Sequence, residues 1–286
     1  MNWVIVGQGA LASLVAIKLQ QQHQSVAILT RHDSAAEVRY FEHQCYQFNT
    51  TSVRDLADHD HQTTLFAAVK AYQVEALLKQ LGPAADNCQL VLSYNGMLDN
   101  ESQLLPARCL HWVTTHGAYR DGLQLVHAGK GQSWLGWQQG HGAATPHQLL
   151  NTLGQTLPPL QWQADIQRQR WQKLAINCLI NPLTVIHNCR NGELLSLALD
   201  AEMLQLATEI SVLAARLQHL ELAPQQLLAQ ALEVAHKTAD NRSSMLSDVL
   251  AGRPTEIDYL NGFIARQSAH LGFTASANER LWQQLR

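Results

Sequence analysis

The sequence predicts an α/β fold in which a mainly parallel sheet is followed by an all-helical C-terminal part. Three observations predict it. Short apolar runs at residues 2–6, 25–29, 64–69, 89–93 and 110–114 are separated by helical or polar stretches. Two glycines stand directly behind the first run and open a helical pattern. Beyond residue 165 the strand signals stop, and apolar residues recur at helical spacing to the end of the chain.

The first run, Asn2-Trp-Val-Ile-Val6, has no polar alternation, as expected of a central strand covered on both faces. Gly7-Gln8-Gly9-Ala10-Leu11-Ala12 follows, then Leu14, Val15 and Leu19 at helical spacing to about residue 22. A second strand, Ser25 to Leu29, completes a strand, glycine turn, helix and strand. That context makes a G-x-G-x-x-G-like motif a Rossmann-type dinucleotide site. Gly7 permits the tight turn, Gly9 lets backbone approach a pyrophosphate, and the helix N-terminus offers oriented N–H groups to it. Ala12 replaces the third glycine and is still small enough for close helix–strand packing.

The end of the second strand reads Leu29-Thr30-Arg31-His32, with no acid before Asp33. An acid there would bind a ribose 2′-hydroxyl; an arginine instead pairs with a 2′-phosphate, each charge-assisted bond contributing about 1.5–3 kcal/mol. The site is therefore expected to prefer NADP(H). Lys70 follows the strand at 64–69, a helix is expected over 74–81, and Asn95 follows the strand at 89–93. Ala118 follows the strand at 110–114. Ligands in open α/β sheets bind beyond the carboxyl ends of strands, so Gly7, Arg31, Lys70, Asn95 and Ala118 are expected on one edge. Residues 123–128 and 133–137 flank Gly129-Lys-Gly131 and read as a hairpin, and 146–157 as a helix. Pro158-Pro159 marks a break, which places the boundary near 165: residues 1–165 a nucleotide-binding domain, 166–286 a helical domain for substrate.

Helices are expected over 171–186, 193–219, 224–237, 256–270 and 275–285. In the first, Lys173, Asn177 and Asn181 recur every fourth residue and drift by only about 40° per step, so they share one strip. The rest of that helix is apolar, and polar heads beside a core need partners. A substrate bearing a carboxylate and a carbonyl supplies them; otherwise the lysine reaches solvent and the amides cap local backbone. Pro182 lies inside the helix and leaves the Cys178 carbonyl without its usual donor. Thr255-Glu-Ile-Asp258 fits a capping box with Glu256 in the first turn, and Ser244 has a capping role open to it.

Apolar residues make up 46% of the 286 and charged residues 15%, enough core for one large domain or two ordinary ones. Net charge is −3 without a basic cluster, which argues against nucleic acid as a partner. No apolar run reaches membrane-span length and no leader precedes the first strand, so a cytoplasmic protein without membrane contact is expected. Cys45, Cys88, Cys109, Cys178 and Cys189 form no C-x-x-C pair and are expected as free thiols. His59-Asp60-His61 lacks further ligands at suitable spacing, so no metal is expected.

Gly7 to Ala12, Tyr94-Asn-Gly-Met97, Lys173 to Thr184, Asn191-Gly-Glu-Leu194, Ser243 to Asp248 and Thr255 to Gly262 together carry a resemblance, over almost the whole length of the chain, to the ketopantoate reductase (2-dehydropantoate 2-reductase) family. The resemblance implies reduction of 2-dehydropantoate to (R)-pantoate with NADPH, on the route to pantothenate and coenzyme A, by a monomer or homodimer. It implies Lys173 as proton donor with Glu256 as its catalytic partner, and Asn177, Asn181, Asn191 and Ser244 as substrate contacts. Asn95, Ala118 and Glu256 fall near nicotinamide and substrate, and Arg31 and Lys70 on the 2′-phosphate. Two other readings fit the same residues: a related NADP-dependent dehydrogenase of another 2-keto or 3-hydroxy acid, and an NADPH-binding sensor without turnover. A pure sensor would not need the Lys173–Glu256 pair.

Overall fold

β1 (Asn2–Val6) is buried from Trp3 onward, and its neighbours on both sides are parallel to it, as its unbroken apolar run requires. A computed structural model of the chain describes residues 2–30, 36–58, 62–138 and 144–286. In chain order the first unit continues with α1 (Ala10–Gln21), β2 (Ser25–Leu29), β3 (Ala36–Phe41), β4 (Gln44–Thr51) and β5 (Thr63–Ala68). Then come α2 (Val74–Leu81), the one-turn α3 (Ala84–Asn87), β6 (Gln89–Ser93), the one-turn α4 (Glu101–Leu104) and β7 (Leu110–Thr114). β8 (Gly117–Asp121), β9 (Gln124–Gly129), β10 (Ser133–Trp137), α5 (His147–Thr156) and β11 (Leu160–Trp162) complete it.

The strands form one sheet in the order β11-β10-β7-β6-β5-β1-β2-β4-β3-β9-β8. Its centre, β7-β6-β5-β1-β2-β4, is parallel throughout. The chain leaves β1 through α1 to β2 on one side and later returns to β5 on the other. The order thus reverses beside the Gly7 turn, the place where open α/β sheets bind ligands. Helix α1 is buried nearly all round, because β8 and β9 also pack against it. The buried Ser13 hydroxyl accepts from Arg39 Nε at 3.2 Å and from Arg120 Nη2 at 3.0 Å, so this polar group inside the layer is satisfied.

The sheet holds two strands that the sequence reading passed over, and it corrects one expectation. β3 and β4 carry too many polar residues to read as core strands; they form an antiparallel pair inside the sheet, with β4 parallel to β2 and β3 parallel to β9. The expected hairpin of 123–128 with 133–137 does not form. β9 pairs with β8 across Gly122, whose φ of +56° follows Asp121 in the tightest available turn. β10 instead lies between β7 and β11, from Ser133 opposite Thr114 to Trp137 opposite Leu110. Its side chains demand this placement: Leu135 and Trp137 need cover that a two-stranded ribbon cannot give.

By contacts the chain divides into Met1–Tyr94 with Ser102–Gln167, and Asn95–Glu101 with Arg168–Arg286. The second unit therefore owns a strap, Asn95–Glu101, from the middle of the other half of the sequence. Its helices are α6 (Gln167–Ile186), α7 (Asp200–Gln218), α8 (Pro224–Lys237), α9 (Ser244–Leu250), α10 (Asn261–His270) and α11 (Ser276–Leu285). Their core takes in Trp171, Leu174, Leu179, Leu206, Ile210 and Ile264, all at most 1% exposed, and includes Met97 of the strap.

Two long helices expected here are each broken. The stretch 193–219 divides into a 3₁₀ turn over Asn191–Ser196 and then α7, with Leu197 extended between them (φ −91°, ψ 143°). The stretch 256–270 divides into a 3₁₀ turn over Ile257–Tyr259 and α10, with the break at Leu260 (φ −106°, ψ −104°). The expected capping box is absent. Thr255 Oγ1 accepts from the Ile257 N–H at 3.3 Å, while the Asp258 carboxylate takes the Trp282 indole N–H at 2.6 Å. No helix among the described residues is long and apolar enough to cross a membrane. Among them, no group of three or more His, Cys, Asp and Glu is placed to hold a metal, and His59, Asp60 and His61 lie outside the described residues.

Candidate active site

In the first unit the glycine turn is built for close approach. Gly7 has φ +100°, and a Cβ there would lie 2.8 Å from the Ala68 carbonyl oxygen at the end of β5. Gly9 is extended and stands at the N-cap of α1 without offering a side chain. The first turn of α1, from Ala10 and Leu11 to the fully buried Ala12, contains no acid, so its N–H groups and dipole stay available to an anion. Gln8 is exposed beside it. A cradle that only glycine can line, facing an uncapped helix start, fits the pyrophosphate of a dinucleotide. Lys70 is half-buried just past β5, its backbone N–H held by Gln73 Oε1 at 3.1 Å. Ala118 sits in the bulge of β8, the outermost strand, and not at the end of a parallel strand. Arg31 lies outside the described residues.

In the second unit α6 carries the polar strip. Asn181 is 7% exposed, while Lys173 and Asn177 are half-buried. Among the described residues none of the three side chains makes a hydrogen bond, so their donors and acceptors are open to a ligand. Burial lowers the Lys173 pKa from 10.5 to about 8, and the nearby Glu256 carboxylate opposes the shift. Glu256 is 4% exposed and accepts from Asn95 Nδ2 at 3.1 Å. Asn95 is delivered by the strap. Gly96 (φ +78°) leaves no room for a Cβ against the Tyr259 carbonyl, and the Met97 N–H donates to that carbonyl at 2.9 Å.

The cap of α9 is Ser243, not Ser244. Its Oγ accepts from the Leu246 N–H at 3.0 Å. Thr184 Oγ1 gives its proton to the Asn181 carbonyl at 2.7 Å, so Ser243 must be the donor in the 2.7 Å bond between the two hydroxyls. This chain of bonds ties the start of α9 to the last turn of α6. Ser244, relieved of capping, is exposed as the first residue of α9. Asn191 donates from Nδ2 to Thr238 Oγ1 at 2.8 Å, and its backbone N–H to Asn241, whereas its buried Oδ1 has no partner. Gly192 is required beside it, because a Cβ would lie 2.5 Å from that of Ala239. The second unit thus gathers Lys173, Asn177 and Asn181 on one helix, joins Glu256 to Asn95, and ties the start of α9 to the same helix through Ser243.

The carbonyl that Pro182 frees has a partner that the sequence did not point to. Asn261, fully buried, donates from Nδ2 to the Cys178 oxygen at 3.2 Å and shares a further bond with Asn278 Oδ1 at 3.0 Å. Asn278 in turn donates to Glu209 at 2.8 Å, and Glu209 accepts the first N–H groups of α11. Asn261→Leu should leave two buried acceptors unpaired, at about 1–3 kcal/mol each. Chemical denaturation is expected to show that loss, and Pro182→Ala, which restores an N–H to the helix, is expected to recover part of it. An unchanged unfolding midpoint in Asn261→Leu would refute this role.

The chain matches two family descriptions: Ketopantoate reductase PanE/ApbA over residues 3–140, and Ketopantoate reductase PanE/ApbA C terminal over 165–286. A Yersinia pestis protein named 2-dehydropantoate 2-reductase is 34% identical over 100% of this chain and 94% of its own length. One of the same name from Vibrio cholerae is 32% identical over 100% and 97%. Among solved structures, D-mandelate dehydrogenase with NADH and anilino(oxo)acetate superposes with a TM-score of 0.87 at 20% identity, covering 100% of this chain and 97% of that one. The dimeric ketopantoate reductase of Staphylococcus aureus gives 0.81 at 19%, covering 100% and 98%. At these identities the solved structures speak for the fold, whereas the two family matches and the full-length relatives speak for kinship: this chain belongs to the ketopantoate reductase family.

Proposed function

We propose that this chain reduces 2-dehydropantoate to (R)-pantoate with NADPH, as a cytoplasmic enzyme on the route to pantothenate and coenzyme A. The observation that carries the reading is the α6 strip. A lysine whose pKa burial brings to about 8 stands beside a buried carboxylate, in line with two amides that have no partner in the unit. An ammonium so placed is charged at neutral pH yet gives up its proton readily, as a general acid should.

Gly7 to Ala12, with Arg31 and Lys70 at the 2′-phosphate, would hold NADPH, which would supply the hydride. The remaining work belongs to the protein. Lys173 faces the ketone oxygen, stabilises the negative charge that gathers there and delivers the proton. Glu256 holds Lys173 protonated and, through Asn95, is itself held in place. Asn177, Asn181 and Asn191 bind the carboxylate and hydroxyl of the substrate, and the exposed hydroxyl of Ser244 joins them from the start of α9. The first unit serves the cofactor, and the second, with its strap Asn95–Glu101, serves the substrate.

The test is the loss of reduced-nicotinamide absorbance with purified protein. 2-Dehydropantoate is compared with unbranched 2-keto acids, and NADPH with NADH. Turnover restricted to 2-dehydropantoate and NADPH is the expected result. Preference for another 2-keto acid would keep the chemistry and reject the substrate; cofactor binding without any turnover would reject the enzyme.

A further inference from the structure

The strap Asn95–Glu101 is fastened to the helical unit more firmly than its own few residues require. Arg170 Nη1 and Nη2 grip both oxygens of Glu101, at 2.7 and 2.5 Å, with the two side chains 4% and 12% exposed. Glu101 Oε1 also accepts the Leu98 N–H at 3.1 Å, which folds the strap back on itself. Asp99 takes Arg266 Nε and Gln267 Nε2, each at 2.8 Å. Met97 is 4% exposed within the helical core.

A buried ion pair of this kind is a poor source of stability. Desolvation of the two charges offsets most of their attraction, and apolar side chains of equal size often do as well. What a two-pronged arginine–carboxylate pair does supply is a fixed orientation. Arg170 lies one helical turn ahead of Lys173 on α6. The strap then returns through Asn95 to Glu256, whose charge acts on Lys173. The path from Arg170 through Glu101, the strap, Asn95 and Glu256 closes on the helix where it began.

We propose that Glu101 and Arg170 are positioning residues for the reduction, holding the strap so that Asn95 donates to Glu256 beside Lys173. Neither side chain touches the substrate; both act through Asn95. The inference rests on the role given to Lys173 and Glu256 above.

The experiment is a double-mutant cycle on the full-length protein with Glu101→Gln, Asn95→Ala and their combination. It reads kcat, KM for 2-dehydropantoate, KM for NADPH and the thermal midpoint. Glu101→Gln is expected to lower kcat by about ten- to a hundredfold, as misplaced catalytic groups do, with KM for NADPH unchanged. In the Asn95→Ala background the same substitution should change kcat by less than about twofold, because the residue through which it acts is gone. Taking the opposite charge away from the buried Arg170 can cost the fold, so Glu101→Gln with Arg170→Met is made as well. It removes both charges, and the same loss of kcat is expected from a protein that melts near the parent. The proposal is overturned if Glu101→Gln acts equally in both backgrounds, or if the uncharged pair melts normally and keeps full kcat. Failure of the underlying reading shows elsewhere: the parent itself would then turn over no 2-keto acid, and both proposals would fall.

Discussion

Lys173→Ala is expected to lower kcat by about a thousandfold, within the range that loss of a positioned acid produces, while NADPH binds as before. The glycine turn proposed for the cofactor lies in the first unit, from Gly7 to the start of α1, and the lysine on α6 of the second, so the substitution is expected to remove chemistry and not cofactor affinity. Nicotinamide fluorescence titration and steady-state kinetics separate the two, and a variant with normal kcat would overturn the assignment. The pH profile carries the same argument. Lys173 donates only when protonated, and its pKa is about 8 in the free protein, so kcat/KM should be level below that pH and fall above it. Glu256 raises the Lys173 pKa, so Glu256→Gln should move the falling limb to lower pH. Stability follows the opposite sign. The folded pKa lies below the ordinary 10.5, so between about 8 and 10.5 the unfolded chain keeps a proton that the native one has released, and stability gains from this group as pH rises.

Gly7→Ala is expected to raise KM for NADPH by about a hundredfold. Two costs coincide at this position. At φ +100° an L side chain is strained, by about 1–3 kcal/mol. The added methyl also meets the Ala68 carbonyl at 2.8 Å, so the turn must move away from β5, and the N–H groups of α1 move with it. Binding energy is lost at the anion, while the strip on α6 is untouched, so kcat at saturating NADPH should fall far less than the affinity. Titration with NADPH measures the first effect and saturating kinetics the second. Affinity within twofold of the parent would show that this turn does not hold the pyrophosphate.

The parts legible in the sequence are those in which a residue's role follows from its near neighbours. The apolar run before Gly7, the glycine spacing, the uncapped start of α1 and the fourth-residue recurrence of Lys173, Asn177 and Asn181 are all local patterns, and each appears where the pattern places it. Pro182 is local too, and it announced a free carbonyl at Cys178, though not that Asn261 would take it. The hairpin failed for the reason that local patterns fail. Residues 124–129 and 133–137 pair equally well with several strands by composition, and burial of Leu135 and Trp137 beside β7 settled the matter.

By itself, then, the sequence determined the α/β class, the glycine turn that opens α1 and the strip of polar residues on α6. Those depend on backbone freedom, helix pitch and hydrophobic periodicity within a few turns of chain. The tertiary structure alone decided that Asn95–Glu101 belongs to the helical unit, that Glu256 is buried against Asn95, and that Glu101 closes on Arg170. Glu256 and Asn95 stand 161 residues apart, Glu101 and Arg170 69. No local propensity encodes such pairs; they exist because desolvated charges and amides must find partners among whatever the packed core brings within reach.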